Sequence, residues 1–277
     1  MFCIQEILKS IPAFNNKYNC FLYSTHLPKT QSDIDKLFNE LKHYACIIIQ
    51  PHYTNNTYLI SNIEKYTNNN CKIIIIPSSH FVYYYPNLTY LKNNENKIIK
   101  SPSDYHDKLI FELRHLNDIS LITNTFKKHV NDKYYFTEDY LNDLAKKSIQ
   151  ELQNREIKFM SENDYGNKFL FITISTFIKN NYKKKLLFYS MNHPSIHLFK
   201  YITDEILKLI DMEEFVGTSK NLDLLNHTRC ILYESVKKHV NFDTSTYTFE
   251  LNNIIDITEY ITKCINEYKN HEHILLC

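Results

Sequence analysis

Two hydrophobic patterns alternate along the chain. Short β-branched runs with polar borders occur at Cys46-Ile47-Ile48-Ile49-Gln50 and at Lys72-Ile73-Ile74-Ile75-Ile76-Pro77. Each is too short and too evenly apolar for a surface helix, and burial on both faces as a parallel strand satisfies it. Cys20-Phe21-Leu22-Tyr23 and Lys185-Leu186-Leu187-Phe188-Tyr189-Ser190 read as two more strands. Between the strands, apolar residues recur at three- and four-residue intervals. The stretch of about 31–43 gathers Ile34, Leu37, Phe38 and Leu41 on one helical face, and a second helix is expected over about 57–67. Strand and helix in alternation predict an α/β fold with a small parallel-sheet core.

The pattern lengthens from about 104 to 182. Leu109, Leu113 and Leu116, then Leu141, Leu144, Ile149 and Leu152, follow helical periods, and Asp118-Ile119-Ser120 supplies a break and a cap between two helices. This segment reads as a mainly helical insertion or second lobe. The expected division is an α/β half over 1–103, a helical insertion over 104–182, and a return strand, helix and C-terminal region over 183–277. Pro194 suits the first turn of a helix running to about 211, with Ile196, Phe199, Ile202 and Ile206 as its buried stripe. The residues after 212 are mixed and read as helices plus a loop. There is no internal repeat, and Asn68-Asn69-Asn70 and Asn93-Asn94-Glu95-Asn96 read as surface loops.

Composition sharpens this picture chiefly through glycine. The 277 residues include two glycines, Gly166 and Gly217, and no tryptophan. Walker loops, dinucleotide fingerprints and kinase glycine loops all need several such residues, so none can be built here. A phosphorylated cofactor would have to be held by helix N-termini and side chains. Seven cysteines, an odd number without a Cys-x-x-Cys, fit reduced, buried thiols in the cytoplasm better than a disulfide frame or a metal site. A net charge of +1, with only the local run Lys183-Lys184-Lys185, argues against nucleic acid as the main partner. No apolar run approaches the roughly 18 residues of a membrane span, and the N-terminus lacks a signal-peptide plan. A soluble, cytoplasmic protein is expected, and a homo-oligomer is compatible with this composition. Abundant Lys, Asn, Ile, Tyr and Phe track AT-rich codons, such as those of a large DNA virus or an AT-rich microbe.

Ligands of open parallel sheets bind beyond the carboxyl ends of the strands. Three such ends carry polar clusters: Gln50-Pro51-His52-Tyr53, Pro77-Ser78-Ser79-His80-Phe81 and Met191-Asn192-His193-Pro194. A histidine fixed by the following proline can serve as a neutral general base. The competing reading makes Asn192 a helix cap and nothing more. Ser78 and Ser79 carry the same ambiguity. The aromatic run Phe81–Tyr85 fits packing better than base stacking. His271-Glu272-His273 has the look of a metal pair, but a solvated tail fits it better.

Taken in order, these clusters carry a resemblance. Cys3 with Gln5, Ile49-Gln50-Pro51, Ile76-Pro77-Ser78-Ser79-His80-Phe81 with Tyr84-Tyr85-Pro86-Asn87-Leu88, Asn154-Arg155-Glu156 and Phe188-Tyr189-Ser190-Met191-Asn192-His193-Pro194 occur in sequence over about residues 1–210. In this the chain resembles the WcbI-type polysaccharide biosynthesis enzymes. It departs from their pattern at the start, where Phe2 replaces the Asn of Asn-Cys-Gln and the preceding strand is missing, so either the sheet has lost an edge or the Cys3 match is accidental. The usual Gly before the tyrosine-proline segment is replaced by Tyr83 or Tyr84, and the C-terminal third matches no motif.

The resemblance implies a coenzyme A-binding acyltransferase that moves an acetyl group from acetyl-CoA to a sugar or nucleotide sugar, without a metal. Under it His193 is the general base, and Asn192 with Ser78 or Ser79 donates to the oxyanion or substrate. Gln50, His80 and Tyr84 orient sugar or pantetheine, and Lys183, Lys184 or Arg155 meet phosphates. Ser78 and Ser79 thereby border the cofactor. Cys3 is a wall of the thiol pocket or a covalent acyl carrier, and direct transfer is favoured. Two rivals remain. One is a carbohydrate esterase, disfavoured by the lack of a nucleophile elbow. The other is a non-catalytic glycan-binding or partner subunit.

Overall fold

The computed structural model describes residues 1–22, 30–51, 63–161, 168–212, 222–271 and 273–276. The fold is α/β, with a small parallel sheet among many helices. The chain forms two compact units that interleave along the sequence. The first comprises residues 1–79, 151–177 and 196–222, and the second 80–150, 178–195 and 223–277.

The first unit holds the parallel sheet. Its strands are Cys46–Ile49, Lys72–Ile75 and Phe169–Phe171, with Lys72–Ile75 in the centre. Ile47 pairs with Ile73 and Ile73 with Phe169, all in parallel register. Alternation puts Ile73 and Ile75 on one face and Ile74 on the other. All three are buried, as a central parallel strand requires. Ile73, Ile75, Ile49, Cys71 and Phe169 pack with Phe38 and Leu41 of the helix Gln31–Leu41. That helix starts in a capping box: Thr30 Oγ1 accepts from the Asp33 N–H at 3.2 Å, and the Asp33 carboxylate accepts from the Thr30 N–H at 2.9 Å. The helices Phe2–Lys9 and Ile196–Leu209 pack together through stripes that include Ile4, Ile7 and Leu8 on one and Leu198, Ile202 and Ile206 on the other.

The second unit is built on the helix Ile257–Lys269. It buries Tyr260, Ile261, Cys264, Ile265 and Tyr268 and packs on the helices Lys108–Leu113 and Ile119–Val130. Asp118 caps Ile119–Val130 as its sequence suggested, accepting from Ser120 and Leu121 N–H groups at 2.8 and 3.1 Å. Short antiparallel ladders pair Leu88–Thr89 with His106–Asp107, Leu91–Asn93 with Ile274–Leu276, and Thr228–Arg229 with Glu250–Leu251. Among the described residues, which include neither glycine, the left-handed positions are Asn96, Asn117, Asp211, Asn252 and Asn253. Asn and Asp tolerate that conformation better than other side chains.

Several expected elements differ. Residues 20–22 form no strand, and Tyr23 lies outside the described residues. The third sheet strand is Phe169–Phe171, inside the stretch read as a helical insertion, where three apolar residues are too few to stand out between long helical periods. Lys185–Ser190 is a loop with a single bridge, Phe188 to Pro194. Tyrosine hydroxyls meet two of its carbonyls, those of Lys185 and Phe188, while Ser195 and the Cys230 N–H take those of Leu186, Leu187 and Tyr189. The helix after it begins at Ile196, so Pro194 precedes it and does not open its first turn. Of the 57–67 helix, residues 63–66 are helical and 57–62 lie outside the described residues, as do His52, Tyr53, Gly166, Gly217, Glu272 and the side chain of Ile34. After 222, three short strands accompany the helices Glu234–Lys237 and Ile257–Lys269. Among the described residues no helix is long and apolar enough to cross a membrane, and no group of three or more metal-ligating side chains gathers.

Candidate functional site

The anticipated residues form two groups, one in each unit. In the first unit they collect at the carboxyl end of the sheet. Gln50 and Pro51 follow strand Cys46–Ile49 directly, and Ser78 Oγ donates to the Pro51 carbonyl at 3.1 Å. That bond ties the ends of two adjacent strands together. Ser78 and Ser79 lie outside regular secondary structure, and no helix begins at either. Arg155, on the helix Glu138–Ser161, donates to the Ser78 carbonyl at 3.4 Å and pairs with Glu151 at 3.1 Å. Its neighbour Glu156 is buried, and one carboxylate oxygen accepts from the N–H groups of Ile174 (2.7 Å) and Ser175 (3.0 Å). The other accepts from Ser175 Oγ. Glu156 therefore caps the helix Ser175–Asn181, a role the motif Asn154-Arg155-Glu156 did not disclose. Cys3 is buried in the first turn of Phe2–Lys9, and Gln5 donates from Nε2 to the Cys20 carbonyl at 2.9 Å.

In the second unit the segment around Asn192-His193-Pro194 is held by tyrosines. Tyr83, Tyr84 and Tyr85 are fully buried. The Tyr84 hydroxyl lies 2.6 Å from the Tyr182 carbonyl and 2.9 Å from that of Lys185, and accepts from the Leu187 N–H. Tyr85 donates to the Phe188 carbonyl at 3.0 Å. Tyr84 was expected to meet substrate. Completely enclosed and fully bonded, it serves as scaffold instead, and the aromatic run is packing. Just before it, the Phe81 N–H donates to the Met191 carbonyl at 2.7 Å, which brings the chain following His80 against the loop that carries His193.

Within that loop Ser190 is the pivot. Its Oγ accepts from the His193 N–H at 3.2 Å and the Asn192 N–H at 3.5 Å, and donates to Asn192 Oδ1 at 3.3 Å. Such short-range hydroxyl bonding fixes a turn. Asn192 caps no helix. Its Nδ2 donates to the Tyr90 hydroxyl at 3.0 Å, and its Oδ1 also accepts from the Tyr105 hydroxyl. The Tyr105 oxygen lies 3.1 Å from His193 Nε2, with the two rings edge to face. His193 Nδ1 is shielded from solvent and has no hydrogen-bond partner among the described residues. Burial, and secondarily the neighbouring His227, push the His193 pKa below its ordinary 6.5, while Asp104 opposes them. The imidazole is neutral at physiological pH.

Lys183 pairs with Glu138 at 3.2 Å, and Lys184 is exposed. Near the C-terminus, His271 pairs with Glu267 at 3.0 Å. Sequence reasoning missed Tyr90, Tyr105 and Ser190. The spacing of Ser190 to the following N–H groups was a usable signal, whereas Tyr90 and Tyr105 are remote in sequence and carry none.

The chain of clusters that runs from Cys3 through the strand ends to Pro194 coincides with a family. The model of the polysaccharide biosynthesis enzyme WcbI matches residues 3–214. The chain belongs to the WcbI family. A solved structure of a WcbI, described as a novel polysaccharide biosynthesis enzyme in native form without a disulfide bond between coenzyme A and one of its cysteines, shares the fold. The TM-score is 0.76 at 19% identity, over 96% of this chain and 86% of that one. No curated protein is significantly similar in sequence. The Asn192-His193 loop thus falls within the part of the chain that defines WcbI membership, whereas the ladders after residue 222 lie beyond it.

Proposed function

We propose that this WcbI-family chain is an acetyltransferase that moves an acetyl group from acetyl-CoA to a sugar, with the amino group of a nucleotide-linked amino-deoxy sugar as the first acceptor to test. The observation that carries the reading is His193 Nδ1, a buried nitrogen without a partner on a neutral imidazole. A catalytic base needs that protonation state and an open valence toward the proton it removes. The relative linked by name to coenzyme A supports the choice of donor.

The residues fit such a donor in a particular way. Acetyl-CoA supplies an activated thioester, so the protein must remove a proton from the acceptor, orient both partners and offset phosphate charge. His193 takes the proton. Because Nδ1 is shielded in the free protein, the arriving acceptor must displace what covers it. Ser78 Oγ is engaged with Pro51, which leaves Ser79 and backbone N–H groups as the better oxyanion donors. Arg155 supplies positive charge at the carboxyl end of the sheet, and Lys184 is an exposed cation. Gln50 and His80, both half-buried, orient substrate. Asn192 supports the loop through Oδ1 and one N–H of its amide, and the second Nδ2 proton is the one it would offer to substrate. Direct transfer is favoured, because Cys3 is buried in the first turn of Phe2–Lys9.

The test is a screen of nucleotide-linked amino and deoxy sugars with acetyl-CoA, followed by free thiol release. His193→Ala should lower turnover by at least about 100-fold, the scale of a lost general base. The stabilisation that millimolar coenzyme A gives in thermal unfolding should persist in that variant. Near-normal turnover in His193→Ala rejects the base assignment. Absence of any thermal shift with coenzyme A in the wild-type chain favours a non-catalytic subunit.

A further inference from the structure

The hydrogen bonds around His193 combine into a direction. Ser190 Oγ accepts two backbone N–H groups, so its own proton points outward, toward Asn192 Oδ1 and the Tyr105 oxygen. The Asn192 amide stands with Oδ1 toward Ser190 and Tyr105 and Nδ2 toward Tyr90. An amide oxygen only accepts, so the one phenolic proton of Tyr105 is committed to Asn192. The Tyr105 oxygen is then left as an acceptor toward His193, and Nε2 must carry the ring proton. The opposite tautomer would bury an N–H at Nδ1 with no acceptor.

We propose that Tyr105 is a positioning residue which, oriented by Asn192, locks His193 in its Nε2–H tautomer and so makes Nδ1 the proton-accepting atom. The proposal deepens the acetyltransferase reading and rests on His193 as base. The nitrogen that bears the proton in an imidazole is set by the bond the other nitrogen makes. Here that partner is a phenol whose proton is spent elsewhere. The lock is held in place by its backbone, since the Tyr260 hydroxyl donates to the Tyr105 carbonyl at 3.0 Å. In the following strand His106 binds the Ile99 carbonyl and the Tyr268 hydroxyl, at 3.1 and 3.0 Å. Removing the phenol oxygen leaves these anchors intact.

The experiment is long-range 1H–15N NMR of chain labelled at histidine nitrogen, with His193 assigned by the signals lost in His193→Ala. The wild-type chain should show a protonated Nε2 and a bare Nδ1. Tyr105→Phe should show the two tautomers mixed. Asn192→Ala frees the Tyr105 proton to donate to Nε2 and should shift the balance to Nδ1–H, although Tyr105 is still present. In the thiol-release assay both variants should lose roughly 10- to 100-fold in kcat with little change in the KM for acetyl-CoA, a fraction of what loss of the base costs. A bare Nε2 in the wild-type chain overturns the proposal, as does a Tyr105→Phe enzyme with unaltered tautomer and kcat. These outcomes are separate from failure of the base assignment, which appears as activity in His193→Ala, because the NMR signature needs no substrate.

Discussion

Asp107 offers a quantitative check on the scaffold that presents Tyr105. The carboxyl group is 4% exposed at the end of the strand His106–Asp107, where Oδ2 accepts from the Tyr233 hydroxyl at 2.9 Å and Oδ1 from the Leu109 N–H at 2.9 Å. Burial disfavours its charge more strongly than these bonds favour it, and its pKa rises from 3.8 to about 7. Between those values the folded chain binds one more proton than the unfolded chain, so stability falls as pH rises. Integrating the two titrations from about pH 5 to about pH 8 gives a loss of about 2.5 kcal/mol from this group alone. Asp107→Asn keeps an acceptor for Leu109 and cannot titrate. Histidines with lowered pKa values, His106 and His193, act in the opposite direction, gaining stability as pH rises toward 6.5. They are common to both proteins and cancel in the difference. Urea unfolding of wild type and Asp107→Asn at the two pH values should therefore show wild type losing about 2.5 kcal/mol more than the variant. Parallel pH dependence in the two proteins would refute the assignment of the buried proton to Asp107.

Glu156→Ala should destabilise the chain by about 3 kcal/mol, because it strands two N–H groups and a hydroxyl that share the carboxylate, and Glu156→Gln should recover part of that loss. Thermal or urea unfolding measures both, and an alanine variant as stable as wild type would show that the cap is dispensable. Turnover against pH should keep its acid limb below 6.5, since burial lowers the His193 pKa and only the neutral ring accepts a proton. A limb above 6.5 would place the essential base elsewhere.

The strands Cys46–Ile49 and Lys72–Ile75, the helix Gln31–Leu41 and the Asp118 cap were legible in the sequence because each is decided locally. Hydrophobic period, strand length and a side chain two or three residues from a free N–H suffice to specify them. The family motifs were legible for a related reason, since their spacing along the chain survives without knowledge of the fold. The strand Phe169–Phe171 was not, because three apolar residues become a strand only once Ile73–Ile75 presents an edge to pair with. Lys185–Ser190 looked like a strand and is a loop, because tyrosines about 100 positions away, Ser195 and the Cys230 N–H bind its carbonyls in place of a strand ladder.

The same division runs through the candidate site. Sequence singled out His193, and with it the kind of chemistry available at that position. Tertiary structure alone decided which of its nitrogens has a hydrogen-bond partner, because Tyr105 and Asn192 lie 87 positions apart in the chain. The direction of a proton in a hydrogen bond depends on every neighbour that competes for it, and those neighbours are assembled only by folding.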